Sequence, residues 1–381
     1  MKTSKIINFA TLLFLIMTII SCGQKKEKQS TFNNKVDSLF SSIYSDNNEP
    51  GAAVLIMKGD SVIFEKCYGI ADMETKAPIT PETNFCIASV SKQFSAVAIL
   101  QLAEQNLLSM DDNLKKFFPE YKADFYNDIT LHHIFNHTSG IPDARPRTDK
   151  NFMLYCNEIE SCQYLVDLDK LNFEPGTQYE YINPTFQLVY HIIPRVTGID
   201  FDTYMKQHIF DIAGMTNSVY FEAERQIPNM AHGYVFDKEK NSYVEEDYGE
   251  ANFFGTKADG GLYTSIRDFA KWEKALRENK IMSEESKELA YSSKIEINED
   301  ANYGYNKNTG YGYGWFIQQN PGESKCVYHL GDNGGFTIYA GKIPEKDIVL
   351  LFFSNRDDID RIATADNIYE MMKEENWFEN K

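Results

Sequence analysis

The feature that most limits the fold lies near the C-terminal end, where four apolar segments follow one another with only short connections. The segments are YGWFIQQ, KCVYHLG, FTIYAGKIP and DIVLLFFSN, and each is typical of a β-strand. Parallel neighbours need a crossover of a dozen or more residues, whereas antiparallel neighbours need only a short turn. This end of the chain therefore predicts a set of antiparallel strands.

The N-terminal part of the chain offers elements of the same kind. GAAVLIMKGDSVIFEKCYGIAD predicts two strands about a turn at Gly59 and Asp60. Helices with one apolar face are predicted over residues 32–46 and near the C-terminus. The apolar positions are Val36, Leu39, Phe40, Ile43 and Tyr44 in the first helix, and Ile362, Ala365, Tyr369 and Met372 in the last.

The middle of the chain is different, because its patterns indicate mostly helices and loops. Its strongest predicted helix is ASVSKQFSAVAILQLAEQNLL. We therefore predict an α/β fold of the α+β kind, in which one antiparallel sheet from both chain termini is flanked by helices and carries an inserted, mainly helical domain. The sheet domain would comprise residues 32–84 and 255–381, and the helical domain residues 85–254. Ligand sites favour the seam between such domains.

Residues 1–21 have the pattern of a signal peptide. Lys2 and Lys5 precede an apolar run of 15 residues, which is short for a membrane span of about 20 residues. The run ends in IISC, which resembles a bacterial lipobox and implies cleavage before Cys22 and lipid attachment to its sulfur. An uncleaved N-terminal anchor is the alternative. In both cases we expect the body of the protein outside the cytoplasm, anchored to a membrane and facing the periplasm, with residues 22–31 as a polar tether.

The composition argues against several classes of function. The formal net charge is −18, which disfavours nucleic acid and strongly anionic polymers as partners, although a local site can override the net field. Six cysteines are present, and an odd number remains if Cys22 is lipidated. Cys156 and Cys162 are close enough in sequence for a small disulfide loop, with free thiols as the alternative. No cysteine or histidine spacing indicates a metal site, and we expect no cofactor.

The first candidate catalytic residues are Ser89 and Lys92, which stand three apart where an apolar helix begins. Three residues make about one helical turn, so both side chains lie on one face. The free N–H groups and the positive dipole end of a helix start favour an oxyanion at Ser89. Burial would lower the pKa of the Lys92 amine, and a neutral amine beside a hydroxyl is a general base. A serine cap with a surface lysine is the structural alternative for this pattern.

A second candidate stretch is FEPGTQYEYINPTFQLVYHII, which carries Tyr181 and Asn183 on a loop before a helix. The structural interpretation makes Asn183 the helix N-cap, with Pro184 at the first helical position. The functional interpretation gives Tyr181 a phenol that moves protons and Asn183 an amide that binds substrate carbonyls.

A third candidate is His329-Leu330-Gly331, at the end of a predicted strand and before a glycine turn at Gly334 and Gly335. A strand-end histidine followed by a tight turn is the structural interpretation.

In this order the three motifs resemble the serine β-lactamase and penicillin-binding-protein superfamily, and most closely its class C β-lactamase, DD-peptidase and esterase branch. Four longer stretches carry the same resemblance: FCIASVSKQFSAVAILQLAEQNLLSMDDNL, LHHIFNHTSGIPD, FEPGTQYEYINP and GGLYTSIRDFAKWEKAL. The resemblance runs from about residue 50 to 355. It implies a helical domain inserted into a sheet made from both chain ends, in agreement with the strand and helix patterns.

The resemblance also implies a role for each motif residue. Ser89 would attack the carbonyl, and Lys92 and Tyr181 would share the activating proton and protonate the leaving group. The substrate-binding positions would be Asn183, which holds a substrate amide, and His329, Gly331 and Asp332 of the third motif. His329 would line the opposite wall, and the backbone N–H groups of Ser89 and Asp332 would form the oxyanion hole.

The third motif departs from the Lys-Thr-Gly of efficient β-lactamases. Histidine is mostly neutral near neutral pH and offers no permanent charge to a substrate carboxylate, and Leu330 removes a hydroxyl donor. Asp332 would place a carboxylate near the site and oppose anionic substrates. These changes weaken the case for penicillins and leave esters, amides and peptides open.

The sequence thus predicts a lipid-anchored serine hydrolase that forms an acyl-enzyme on a small-molecule or peptide substrate. The alternative is a catalytically silent relative that binds peptidoglycan or a partner protein. An unrelated hydrolase has little support, because the chain contains no GxSxG nucleophile elbow and no HExxH spacing. The histidines of LHHIFNHTSG are expected to shape the fold.

Overall fold

The structure is a computed structural model, and it describes residues 29–222, 226–246, 256–297, 308–319 and 323–379. The predicted signal peptide and Cys22 lie outside these ranges. Among the helices that the structure describes, none is long and apolar enough to cross a membrane.

The centre of the fold is an antiparallel sheet of eight strands. The strands of the described residues, in chain order, are β1 (Ala52–Lys58), β2 (Ser61–Tyr68), β3 (Phe85–Cys86), β4 (Val219–Tyr220), β5 (Tyr234–Asp237), β6 (Ser242–Glu245), β7 (Leu262–Thr264), β8 (Ile295–Glu296), β9 (Thr309–Tyr311), β10 (Phe316–Gln318), β11 (Cys326–Asn333), β12 (Phe336–Ile343) and β13 (Ile348–Ser354). In the large sheet the order is β2-β1-β13-β12-β11-β10-β9-β8. Ala52 of β1 stands opposite Ser354 of β13, so strands from the N-terminal and C-terminal parts of the chain pair directly within the sheet. The predicted fold class is confirmed.

Helices cover both faces of this sheet. They are α1 (29–43), α2 (Lys92–Glu104), α3 (Leu114–Phe117), α4 (Leu131–Phe135), α5 (Lys150–Tyr155), α6 (Glu158–Cys162), α7 (Asn183–Thr197), α8 (Phe201–Met205), α9 (Asp211–Ala213), α10 (Lys257–Gly260), α11 (Ile266–Arg277), α12 (Glu284–Ala290) and α13 (Arg361–Glu374). The division into two domains at the predicted boundaries stays a prediction.

Two cores form because successive strand residues point to opposite faces. On β1, Ala52, Val54 and Ile56 pack in one cluster with apolar residues of α1 and α13. The alternate β1 residues belong to a larger cluster with α2, α7 and α11. The terminal helices therefore cover one face of the sheet, and the cluster that contains α2, α7 and α11 lies on the other.

Three elements differ from the sequence-based expectation. The N-terminal helix covers residues 29–43 rather than 32–46. β8 and β9 extend the sheet beyond the strands that were predicted, because two or three residues are too few to show an alternating pattern. The helix after Ile182 begins at Asn183, one residue earlier than expected, a difference within the usual variation of helix ends.

A single buried side chain, Asn355, joins the end of the sheet to the loops around it. Its Oδ1 accepts the Gly51 N–H at 2.7 Å. Its Nδ2 lies within 3.0–3.3 Å of the carbonyl oxygens of Ile70, Ala71 and His232. Asn355 is fully buried, so water cannot replace these bonds.

We expect Asn355→Ala to lower the free energy of unfolding by about 3 kcal/mol, because it leaves several buried backbone groups without partners. Chemical denaturation monitored by circular dichroism measures this change. Asn127→Ala removes an exposed amide that donates to the Asp124 carbonyl, and it should cost about 0.5 kcal/mol or less. Equal losses in the two variants would contradict the role given to Asn355.

Candidate active site

Ser89 lies in a 3₁₀ turn, Ala88–Ser91, that leads directly into α2. The Ile87 N–H donates to the Leu262 carbonyl at 3.0 Å and fixes the start of the turn. Ala88 has a φ of +45°, which residues other than glycine rarely adopt, so the backbone turns sharply just before Ser89. An N–H in the first turn of a helix has no acceptor within the helix. The Ser89 N–H is therefore suited to binding an oxyanion.

Lys92 lies on the same face as Ser89, as the spacing predicts. Its Nζ is 3.0 Å from Ser89 Oγ and donates to the Asp259 carbonyl oxygen at 2.9 Å. The side chain is fully buried. Burial lowers the pKa of Lys92 to about 8, a shift that the Asp259 carboxylate opposes and Arg145 reinforces. A substantial fraction of the amine is therefore neutral near pH 8.

The ring of Tyr181 also faces Lys92, with Lys92 Nζ 5.1 Å from the ring centroid. The Tyr181 ring also lies 4.3 Å from the ring of His137. The Glu180 N–H donates to the His137 carbonyl at 2.9 Å, which ties the Tyr181 loop to the HTSG loop. Ser89, Lys92 and Tyr181 thus come together from two distant segments of the chain.

His137 is more closely involved than the sequence analysis expected. It is fully buried, has a φ of +58°, and accepts the Ile182 N–H at Nδ1 over 3.3 Å. Because Nδ1 accepts, the proton of the neutral ring is on Nε2, which has no hydrogen-bond partner among the described residues. Burial, with help from the charge on Lys92, holds the pKa of His137 well below its usual value. A neutral ring at this place positions Tyr181 without adding charge.

The His329 side chain of the third motif is held by hydrogen bonds to Leu330 and Tyr311. His329 Nδ1 donates to the Leu330 carbonyl at 2.7 Å, so Nε2 accepts the Tyr311 hydroxyl at 2.9 Å. Burial, followed by the charge on Lys92, lowers the pKa of His329 to about 3. Both ring nitrogens are occupied and the side chain is buried, so the structure does not place His329 in the wall of the Ser89 cavity, where it was expected.

Gly331 and Asp332 bring β11 against the Ser89 turn. A Cβ on Gly331 would stand 2.3 Å from the Ile87 carbonyl oxygen, so only glycine allows this approach. Arg361 donates to the Gly331 carbonyl at 2.8 Å and to the Asp332 carboxylate at 2.9 Å. Asp332 lines the cavity. Its carboxylate is paired with Arg361 and is largely exposed to solvent, so it repels anionic substrates less than the sequence predicts.

A cavity of about 140 Å³ opens at Ser89. Its lining residues are Ala88, Ser89, Arg145, Met153, Cys156, Asn183, Thr256, Asp259, Gly260, Asp332 and Asn333. Asn183 contributes a side-chain oxygen that has no hydrogen-bond partner in the described part of the chain. The cavity therefore joins the nucleophile to two of the predicted substrate-binding residues, Asn183 and Asp332.

Two charged residues of this cavity, Arg145 and Asp259, are not predicted from the sequence. Arg145 lies in the loop ARPRTDKNF, which shows no periodicity. Asp259 immediately precedes the Gly-Gly pair of GGLYTSIRDF, and a polar residue next to a family-like stretch is the one signal that pointed to it. Burial raises the pKa of Asp259, while the charges of Lys92 and Arg145 act against this rise.

The described residues contain no group of three or more His, Cys, Asp or Glu side chains that could hold a metal ion. Cys156 and Cys162 are both free thiols, so the disulfide considered for them does not form in this structure. Cys162 instead lies within hydrogen-bonding reach of the Pro184 carbonyl, at 3.7 Å.

Comparison with known proteins agrees with this fold. The sequence profile of the family described as Beta-lactamase matches residues 36–371. The chain therefore belongs to this family and to its superfamily of β-lactamase-like serine hydrolases.

Individual relatives are more distant. Penicillin-binding protein 4* of Bacillus subtilis (strain 168) is 27% identical over 326 residues, which cover 82% of this chain and 70% of that protein. Protein flp of Staphylococcus aureus (strain N315) is 25% identical over 328 residues, and the chain spans 62% of its length. Among solved structures, an octameric penicillin-binding protein homologue from Pyrococcus abyssi has a TM-score of 0.78 and 29% identity, covering 90% of this chain and 77% of that one.

The rate of acylation at Ser89 should depend on pH through Lys92. Because its pKa is lowered to about 8, the rate should rise about tenfold per pH unit below pH 8 and level off above it. Stopped-flow labelling with an uncharged fluorescent serine probe measures the profile. Lys206→Met, at an exposed lysine paired with Asp211, should leave the midpoint unchanged. A midpoint near the ordinary lysine value of 10.5 would contradict the assignment of Lys92 as the base.

Proposed function

We propose that the protein is a serine hydrolase that acts through an acyl-enzyme on amide, peptide, ester or β-lactam carbonyls. Within the family it would follow the class C β-lactamase, DD-carboxypeptidase and esterase type. The observation that carries the proposal is the buried Lys92 amine 3.0 Å from the Oγ of Ser89, a residue that lines a cavity. A buried amine of lowered pKa beside a serine hydroxyl is the arrangement that activates a nucleophile.

In the acylation step, Ser89 Oγ forms a bond to the substrate carbonyl carbon, and its proton passes to Lys92 Nζ. The oxyanion lies against the N–H of Ser89 and, by analogy with the family, that of Asp332; such donors are worth about a hundredfold in rate each. The leaving amine or alcohol departs with a proton from the Lys92 and Tyr181 pair. Water then attacks the acyl-Ser89 ester, releasing a carboxylic acid and restoring the hydroxyl.

The charges near the cavity favour substrates without a carboxylate. His329 stands at the motif position where efficient β-lactamases carry a lysine, and its lowered pKa keeps it neutral. The Arg145 guanidinium is already paired with Asp143. Small esters, amides and peptides therefore fit the proposal better than penicillins, whose carboxylate needs a cation.

Ser89→Ala should abolish covalent labelling by a fluorophosphonate or a fluorescent penicillin, because it removes the attacking oxygen. Lys92→Met should reduce the rate of labelling at least about a hundredfold, because it removes the base that lies 3.0 Å from Ser89 Oγ. Ser41→Ala, at an exposed serine, should label like the wild type. Labelling is followed by gel fluorescence, and intact mass gives the acyl adduct. A wild-type protein that binds muropeptides but resists every serine-directed probe would favour a silent binding relative instead.

We also propose that the protein is exported and anchored through lipid on Cys22, in keeping with the IISC sequence that ends the apolar run. In bacterial cells fed a clickable fatty acid, the wild type should carry the label and fractionate with membranes. Cys22→Ser should lose the label, because the acceptor sulfur is gone. Cys67→Ser, at a cysteine of the folded body, should keep it. A wild type without lipid would support the uncleaved anchor.

A further inference from the structure

A chain of hydrogen bonds connects two charged residues of the cavity wall, Arg145 and Asp259, through buried neutral side chains. Arg145 Nη1 donates to Ser161 Oγ at 3.3 Å, and Ser161 Oγ donates to Gln187 Oε1 at 2.6 Å. Gln187 Nε2 then donates to Asp259 Oδ2 at 3.2 Å. Ser161 and Gln187 are both fully buried, so water does not compete for these bonds.

The direction of these bonds is fixed by the groups available at each step. Because Ser161 Oγ accepts the Arg145 N–H, its own proton is available to the amide oxygen of Gln187. The NH₂ group of Gln187 then faces Asp259. A reversed amide would set its oxygen against the carboxylate, which cannot donate when it is ionised. The arrangement therefore stabilises the ionised form of Asp259.

Asp259 acts on Lys92 through two groups. Its backbone carbonyl oxygen accepts Lys92 Nζ at 2.9 Å, and its carboxylate opposes the lowering of the Lys92 pKa. Burial raises the pKa of Asp259, while the charges of Lys92 and Arg145 act against this rise. Hydrogen bonds from Gln187 and Thr256 also favour the ionised carboxylate. Neutral hydrogen-bond donors therefore help to decide whether Lys92 faces an anion.

We propose that Gln187 is a positioning residue for the acylation step, because it keeps the Asp259 carboxylate ionised near Lys92. By this means it controls how readily the amine takes the proton of the nucleophile. The inference rests on the proposed serine hydrolase function, since it concerns the base of that reaction. Gln187 does not line the cavity, so its action on the reaction passes through Asp259.

Other titratable groups set the background for this effect. Besides Arg145, those that surround Lys92 and Asp259 are His137, Cys156, Glu158, Cys162, Tyr181 and His329. Burial lowers the pKa of the two histidines and raises that of the two thiols, so all four stay neutral near pH 8. Burial raises the pKa of Glu158 to about 7, so this carboxyl titrates in the measured range. Since Glu158 is present in every variant below, differences between variants report on Lys92.

The pH midpoint of Ser89 acylation tests the inference. Asp259→Asn removes the attracting charge, so the midpoint should fall by about one pH unit. Gln187→Met nearly keeps the side-chain size and removes the donor, so the midpoint should also fall, by about half a unit or more. In the double variant the shift should equal that of Asp259→Asn alone, because Gln187 acts only through Asp259. Stopped-flow labelling with an uncharged fluorescent serine probe measures each midpoint.

Gln101→Met is the matched control. Gln101 is also a buried glutamine, but its Nε2 donates to the backbone carbonyls of His208 and Ile281, at 3.2 and 2.8 Å, and it does not line the cavity. Its replacement should lower stability and leave the midpoint unchanged. If circular dichroism shows that Gln187→Met does not fold, Ser161→Ala tests the same chain with a smaller change. It removes the proton donor to Gln187 Oε1, so the midpoint should again fall.

The outcomes separate this inference from the proposed function. A folded Gln187→Met or Ser161→Ala variant with the wild-type midpoint overturns the inference and leaves the hydrolase standing, even if its rate is lower at every pH. Shifts that add in the double variant also overturn it, because they reveal a route that bypasses Asp259. A wild-type protein that takes no serine probe at any pH removes both.

Discussion

The burial of one amine, that of Lys92, is the constraint on which the site depends. A charged ammonium is unfavourable away from water, and the pKa of Lys92 is lowered because burial disfavours its charged form. One acceptor, Ser89 Oγ, lies in the 3₁₀ turn before α2, and the other, the Asp259 carbonyl, lies in α10. Packing around a fully buried lysine therefore does two things at once: it ties distant parts of the chain together and creates a neutral base beside the nucleophile.

The residues around Lys92 keep this base free of competing charge. His137 and His329 are both buried with lowered pKa values, so neither adds a second cation near the amine. Arg145 is compensated by Asp143. Electrostatic control in this site therefore rests on neutral rings, on the Arg145–Asp143 ion pair, and on the Asp259 carboxylate, which opposes the lowering of the Lys92 pKa.

Much of the fold was predictable because the long strands carry strong local signals. The β1 and β2 hairpin and the strands β10 to β13 are apolar runs with short links, and the amphipathic terminal helices show which face of the sheet they cover. The two-residue strand β8 and three-residue strand β9 give no such signal. Their absence from the sequence analysis had a consequence, because Tyr311 of β9 is the residue that occupies His329 Nε2.

The candidate site was predictable to a similar extent. Helix geometry alone predicts that Ser89 and Lys92 share one face, whereas the 3.0 Å separation of Nζ and Oγ also depends on how the buried lysine side chain packs. Tyr181, Asn183 and Asp332 could be assigned only through their resemblance to a family. Arg145 and Asp259 could not be placed, because their positions depend on tertiary contacts of irregular segments, such as the pairing of Arg145 with Asp143.

The pairing of β1 with β13 has a consequence for biosynthesis. Ser354 Oγ donates to the Gly51 carbonyl across 303 residues of chain, and the whole β1–β13 ladder spans a similar separation. During translation, the first hairpin must wait with an open edge until almost the entire polypeptide has emerged. Such high contact order slows folding. Until β13 is available, the unpaired edge of β1 can pair with other chains. The last step in forming this sheet therefore depends on the strand that is synthesised last, β13.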